Sequence, residues 1–291
     1  MKFRKIAALM LALGITASLA ACSKKEPQEE VTPSPSVPII SDEDLFPGVN
    51  TSPAPQVSAE PTEEPDISPE PAVIPEAEVS DLVQKQQYEA EDGTVVLELD
   101  IRLPSLASDS APCDDINAFY LSQLEKQMIA AESELLPRAL DAYERSVQME
   151  SEFMPYYSHQ EYETALNDKG YLSILRKVSV YDGGYDQTVW SETFDLSNGG
   201  RLTLDDVFSA PDSAYLEVLS WTVKDTIEAD SEHYYPESAN TFLQTFQKDD
   251  FCLTDEGILL YFQQGIISSP VNGPEPFMVS YDTVKEIFRL W

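Results

Sequence analysis

This sequence has few histidines, few cysteines and few basic residues. Its 291 residues include 2 His, 3 Cys and 18 Lys and Arg, against 52 Asp and Glu. The only histidines are His159 and His233, in no His-Glu-x-x-His motif, and no Cys-x-x-Cys pair is present, so we expect no zinc hydrolase site. The excess of acidic over basic residues repels phosphate backbones. We therefore expect no nucleic-acid partner.

Catalytic motifs are also missing. There is no Gly-x-Ser-x-Gly turn, P-loop or dinucleotide fingerprint. Two carboxylates could act as a glycosidase pair, but among so many acids the sequence singles out no pair at the required separation. Asp205-Asp206 and Asp249-Asp250 could bind calcium, yet the EF-hand spacing is lacking, and helix capping or turns account for them equally well. We therefore predict no enzyme activity, no metal site and no cofactor.

The sequence has no apolar run of transmembrane length. The stretch from Ile6 to Leu19 is too short to span a bilayer, and it follows three basic residues. It ends in Leu19-Ala20-Ala21-Cys22, which resembles the lipobox of bacterial lipoproteins. That resemblance implies that residues 1–21 are a signal peptide and that Cys22 receives a lipid. The alternative is an ordinary Cys behind an ordinary secretory cleavage site.

A lipid on Cys22 implies an extracytoplasmic protein anchored to the outer face of the cytoplasmic membrane, or to the outer membrane if the cell has two. The residues that follow cannot form a core. Residues 23–84 hold 12 of the 21 prolines, many acids and, apart from Phe46, no aromatic side chain. Segments such as Pro33-Ser34-Pro35-Ser36 lack apolar periodicity, so we predict that residues 22–84 form a disordered, extended tether.

The composition becomes globular from about Tyr88. Clean alternation over Thr94 to Leu103 predicts a half-buried strand. Three further strand patterns are joined by Asn167-Asp168-Lys169-Gly170 and Asp182-Gly183-Gly184, which are strong turn signals, so they predict an antiparallel meander. These strands are predicted at Tyr156 to Leu166, Tyr171 to Tyr181 and Gln187 to Leu196.

Helices are predicted in two regions. Asp114 is the predicted N-cap of the first helix, and Pro137 must kink or end it, because an interior proline removes a hydrogen bond and clashes with the preceding turn. Its apolar stripe is Ile116, Tyr120, Leu124, Met128, Ala131 and Leu135, continued by Leu140, Tyr143 and Val147. Asp212 or Ser213 can cap a later helix, and a shorter one is predicted near Ser238 to Phe246. The apolar face of the later helix is Leu216, Leu219, Val223 and Ile227.

The end of the chain returns to strand patterns at Phe251 to Leu253, Gly257 to Phe262 and Phe277 to Tyr281. Strands and helices come in blocks, so the predicted fold class is α+β, with helices packed on one face of an antiparallel sheet meander. We divide the folded part into an N-terminal part, 85–170, and a C-terminal part, 171–291.

Several motifs in this region resemble one known family. It comprises the paired extracytoplasmic domains of uncharacterised function found in the lysozyme-sensing anti-sigma-V factor and N-terminal to some peptidoglycan deacetylase catalytic domains. The motifs are Tyr181-Asp182-Gly183-Gly184, Phe194 to Gly200, Leu202-Thr203-Leu204-Asp205-Asp206-Val207-Phe208, Phe251 to Ile258 and Tyr261-Phe262. Because only five residues precede the apolar run and the chain ends at Trp291, we expect neither a cytoplasmic sigma-binding domain nor an appended deacetylase domain.

The resemblance also indicates a partner and its contacts. Relatives usually carry a His after the paired glycines, where this chain has Tyr185 and Asp186, and a different loop follows Tyr261-Phe262 here. The implied contacts are Gly183, Gly184, Tyr185, Ile266, Pro270 and Pro274. The resemblance implies a binding module for a cationic envelope protein such as a lysozyme-like wall hydrolase. The alternative is a peptidoglycan or wall-polymer binder or a wall-modifying enzyme, for which exposed tyrosines could stack on sugars.

Charge supports a cationic partner independently. Residues 88–291 contain 38 acids and 12 Lys and Arg, a difference of −26, so the folded part itself has a strongly negative field. Such a field speeds encounter with basic proteins and repels anionic lipid. The two remaining cysteines, Cys113 and Cys252, leave two alternatives open, namely a disulfide after export or two buried free thiols.

Overall fold

The computed structural model describes residues 76–107 and 110–291. The predicted signal peptide 1–21, the predicted lipidation site Cys22 and most of the predicted tether lie outside the described residues. The first strand, β1, spans Val79–Glu89 and therefore begins inside the segment assigned to the tether. Composition placed this boundary too late, because β1 is an edge strand with mostly polar side chains.

A six-stranded sheet forms the first part of the fold, in the sequential order β1 to β6. After β1 come β2 (Val95–Leu106), β3 (Tyr156–Asp168), β4 (Tyr171–Tyr181), β5 (Tyr185–Asp195) and β6 (Gly200–Arg201). The predicted antiparallel meander of β3, β4 and β5 is confirmed. In contrast, β2 and β3 are parallel, because a long helical crossover connects them.

That crossover consists of α1 (Ala111–Ala130), a π-helical turn (Ala131–Leu135) and α2 (Leu136–Gln148). The helix begins after Ser110, so the N-cap predicted at Asp114 was wrong, and Asp114 instead lies in the first turn. Pro137 lies in the first turn of α2, directly after the π turn. The wider turn is the irregularity that accommodates the proline within an otherwise continuous helix.

A three-stranded antiparallel sheet forms the second part, in the order β7 (Phe251–Leu253), β8 (Gly257–Phe262) and β9 (Glu275–Ser280). Its helices are α3 (Leu204–Val207), α4 (Asp212–Ala229), α5 (Phe242–Thr245) and α6 (Tyr281–Val284), with 3₁₀ turns at Ser238–Asn240 and Pro270–Asn272. The buried side chains of α4 are Tyr215, Leu219, Val223 and Ile227, which confirms most of the predicted stripe.

The fold class α+β is confirmed, with two sheets in place of one. The division drawn at 170/171 falls inside the β3–β4 hairpin, so the six-stranded sheet spans both predicted parts. The sheets meet through polar contacts: the Leu253 amide donates to Ser173 Oγ at 3.0 Å, and the hydroxyls of Ser191 and Tyr261 lie 2.8 Å apart. In the described part of the chain, no helix is long and apolar enough to cross a membrane.

Candidate functional site

The predicted contact turn lies at the tip of the β4–β5 hairpin. Tyr181 pairs with Tyr185, and the Asp182 amide donates to the Gly184 carbonyl at 3.2 Å. Gly183 has a φ of +99°, a conformation that side chains other than glycine rarely adopt, which explains the glycine in this turn. The turn leaves the Tyr185 side chain 51% exposed.

Two glutamine side chains join the loop 263–276 to β5. Gln263 donates to the Val189 carbonyl at 2.8 Å and accepts from the Val189 amide at 3.0 Å. Gln264 accepts from the Gln187 amide at 2.5 Å and donates to the Tyr185 carbonyl at 3.3 Å. The short strand β6 pairs only with the end of β5, so the rest of that edge of β5 would have unpaired backbone groups. The side-chain amides of Gln263 and Gln264 satisfy some of these groups.

The base of the loop is held by polar contacts. His233 Nε2 lies 2.7 Å from Glu275 Oε1, and Ser268 Oγ donates to the same carboxylate oxygen. The Ile267 carbonyl accepts from the Tyr235 amide at 2.9 Å and from Ser238 Oγ at 2.8 Å. The loop is therefore anchored on both sides of its tip.

The Gln264 hydrogen bonds place the start of the loop 263–276 beside Tyr185, at the base of the predicted contact turn. Ile266 is 46% exposed, Pro270 is exposed and begins a 3₁₀ turn, and Pro274 is half-buried beside β9. Val271, which was not predicted, is 88% exposed. We call the turn 183–185 together with the loop 263–276 the hairpin–loop surface. It presents exposed apolar side chains on a backbone fixed by hydrogen bonds.

A polar groove of about 390 Å³ borders this surface. Its lining includes Asp100 of β2, Tyr157 and His159 of β3, Lys177 of β4 and Tyr185 of β5, which are four adjacent strands. The rings of Tyr157 and His159 stack with centroids 4.5 Å apart. Sequence reasoning missed this groove, because the parallel pairing that places β2 beside β3 had no local signal.

One buried carboxyl lies near the loop anchor. Asp250 is 9% exposed and accepts from Gln263 Nε2 at 3.3 Å. Burial raises the pKa of Asp250 to about 6, the Gln263 hydrogen bond opposes that shift, and the neighbouring Asp249 charge adds to it. The same glutamine thus contacts both this carboxyl and β5.

The acidic pairs considered as metal ligands have structural contacts. Asp206 Oδ2 accepts from the Thr203 amide at 2.9 Å in a capping box at the start of α3. Asp205 accepts from Lys248 and from the Tyr215 hydroxyl. Within residues 76–107 and 110–291, no three His, Cys, Asp or Glu side chains are grouped to hold a metal ion.

The two described cysteines are both buried free thiols. Cys113 lies in α1 and Cys252 in β7, in different parts of the fold. Burial raises the pKa of the Cys252 thiol to about 12, so it remains protonated and unreactive near neutral pH. Of the two alternatives, the structure has the pair of free thiols.

Comparisons with known proteins agree with this architecture. Residues 205–282 match the family model described as "Protein of unknown function (DUF3298)". The described fold is similar to the crystal structure of a DUF3298 family member from Bacteroides fragilis, with a TM-score of 0.57 and 16% identity over 73% of this chain and 94% of that chain. A DUF3298 family protein from Pseudomonas aeruginosa matches with a TM-score of 0.47 and 15% identity, over 73% and 94% of the two chains.

The search of curated proteins gave no match. The matched segment begins in α3 and ends in α6, so it includes α4, the loop 263–276 and the whole three-stranded sheet. Over residues 205–282 this chain is therefore similar to the DUF3298 family model, and its described fold is similar to that of a DUF3298 family member from Bacteroides fragilis.

Proposed function

We propose that the protein is a membrane-anchored extracytoplasmic binding lipoprotein whose partner is a cationic envelope protein, such as a lysozyme-like wall hydrolase. The observation that carries the proposal is the hairpin–loop surface. Tyr185, Ile266 and Val271 expose apolar area on a backbone fixed by the Gln263 and Gln264 hydrogen bonds. Exposed aromatic anchors on a rigid frame are typical centres of protein interfaces, because little conformational entropy is lost on binding.

The charge of the folded part supports the same partner class. The excess of 26 acids over Lys and Arg in residues 88–291 produces a field that attracts basic proteins and raises their association rate. The apolar contact and the field have different salt dependences. The Debye length falls from about 10 Å at 0.1 M to about 3 Å at 1 M salt, whereas burial of an aromatic side chain is little affected.

Lysozyme binding tests the proposal. The full chain in detergent is expected to bind lysozyme with a micromolar or lower Kd in 0.15 M salt, and Tyr185→Ala is expected to weaken binding about 10-fold or more. The matched control is Leu121→Ala, since Leu121 is an equally exposed apolar residue on α1. The measurement is calorimetric titration at several salt concentrations.

Other outcomes would contradict the proposal in different ways. Binding that disappears with salt and is unchanged by Tyr185→Ala would indicate unspecific charge pairing. If lysozyme does not bind even at low salt, it is not the partner. If the chain then sediments with peptidoglycan, wall-polymer binding through the polar groove becomes the better proposal.

The location is a separate part of the proposal, which rests on the lipobox-like Leu19-Ala20-Ala21-Cys22. The lipobox resemblance implies a diacylglycerol on Cys22, whose two acyl chains hold a protein on a membrane far more firmly than one chain does, so the wild-type chain is expected in the membrane fraction. Cys22→Ala removes the acceptor thiol, and the chain is expected either to leave that fraction or to remain as the uncleaved precursor. Fractionation with mass analysis measures both, and a mature Cys22→Ala chain that stays on the membrane would contradict lipidation.

A further inference from the structure

Trp221 is the most exposed tryptophan of the described residues, at 66%. It lies on the side of α4 away from the buried stripe. Glu217 is four residues before it and Asp225 four residues after it, so both carboxylates lie one helical turn away on the same face. An indole exposed to this extent between two acids is not part of any hydrophobic core.

A groove of about 630 Å³ runs along this face. It is lined by Val218, Thr222 and Thr226 of α4 and by Thr283 of α6, together with Trp221 and the two acids. Small and β-branched side chains next to the indole leave room for the side chains of an incoming segment. The groove involves no residue of the hairpin–loop surface.

The charges around the indole are not balanced by the helix itself. The lysine of α4, Lys224, pairs with Glu228 at 3.6 Å. Within the described chain, neither Glu217 nor Asp225 forms an ion pair. Two described lysines lie over aromatic rings, Lys169 over Trp291 at 4.3 Å and Lys248 over Tyr215 at 5.6 Å, and neither ring is that of Trp221.

We propose that this groove binds a Lys- or Arg-rich segment of a protein partner, with one cationic side chain over the Trp221 indole between Glu217 and Asp225. An indole face attracts cations through its quadrupole, and the flanking carboxylates add charge pairing at helical spacing. The same acids repel anionic lipid, so a basic polypeptide suits the groove better than a membrane surface. This site is additional to the hairpin–loop surface and does not depend on lysozyme being the partner.

Octalysine is a suitable probe, titrated calorimetrically into the full chain in detergent at 0.15 M salt. Trp221→Ala is expected to weaken binding about 5-fold or more, because the cation–π contact is lost. Trp190→Ala is the matched control, since Trp190 is 51% exposed on β5, and its effect is expected to be below about 2-fold. The double variant Glu217→Gln/Asp225→Asn is expected to weaken binding more than Glu125→Gln/Glu144→Gln, which removes the same charge from α1 and α2.

Two results would overturn the proposal. One is equal octalysine binding by wild type and Trp221→Ala, since unspecific attraction to an acidic surface needs no indole. The other is equal binding of octalysine and its fully Nε-acetylated form, since the acetylated peptide has no side-chain charge. A membrane contact of the indole is a variant of the first result: octalysine binding is then unchanged by Trp221→Ala, while binding of the Cys22→Ala chain to phosphatidylcholine vesicles in the absence of detergent is lost. Because the probe contains no lysozyme, failure here is distinguishable from failure at the hairpin–loop surface.

Discussion

Arg176→Met is expected to lower the free energy of unfolding by about 3–5 kcal/mol. Arg176 of β4 and Glu192 of β5 form a buried bidentate ion pair, with side chains 4% and 3% exposed and Arg176 Nε 3.0 Å from Glu192 Oε2. Methionine fills similar volume but leaves the Glu192 carboxylate without its cation. Among the described residues, the remaining contact of that carboxylate is the Tyr120 hydroxyl at 3.4 Å.

The double variant Arg176→Met/Glu192→Met distinguishes the cost of an unpaired buried charge from the cost of altered packing. Removing both charges also removes both desolvation costs, so the double variant is expected to recover most of the lost stability. Lys85→Met is the control, because Lys85 and Asp100 form an ion pair at 2.7 Å that is largely exposed, and its loss is expected to cost less than about 1 kcal/mol. Urea unfolding measures all three. A cost for Arg176→Met as small as that for Lys85→Met would contradict the buried pair.

Local signals in the sequence predicted much of the fold. Alternation over residues 94–103 predicted β2 because one face of that strand is buried against α1. Tyr171–Tyr181 has the predicted bounds, because turn residues flank it on both sides. The apolar stripe of α4 was predictable because burial of one helix face leaves a helical period in the sequence.

Features that depend on distant pairing were not predictable in this way. The polar residues Lys85, Gln86 and Gln87 are similar in composition to the preceding tether. They nevertheless belong to β1, because their backbone pairs with β2. The parallel contact between β2 and β3 spans the whole helical crossover. The separation into two sheets likewise depends on contacts between distant segments.

The candidate site shows the same contrast. A turn at Gly183 was predictable, since its positive φ requires glycine. The Gln263 and Gln264 hydrogen bonds to β5 were not, because an amide side chain that satisfies a remote strand edge has no sequence pattern. Exposure of Trp221 was also hidden, because the sequence does not distinguish an exposed tryptophan from a buried one.

The other large effect is expected for Gly257→Ala, at about 3 kcal/mol of lost stability. Gly257 begins β8 opposite Ser280 of β9. A Cβ at this position would lie 2.2 Å from the Val279 carbonyl oxygen and 2.9 Å from its carbon. These are backbone atoms of the paired strand, so the clash is relieved only by moving β9 away from β8.

Movement of β9 would disturb both the core and the loop. Val279 and Ile258 are fully buried, and the loop 263–276 connects the two strands. Gly184→Ala is the matched control, because a Cβ there would meet only Asp182 Oδ1 at 3.9 Å, and the expected change is below about 0.5 kcal/mol. Urea unfolding of both variants measures the difference. Equal stability of the two variants would contradict the β8–β9 register. Under the proposed function, Gly257→Ala is also expected to weaken lysozyme binding, since the loop would lose its fixed position beside Tyr185.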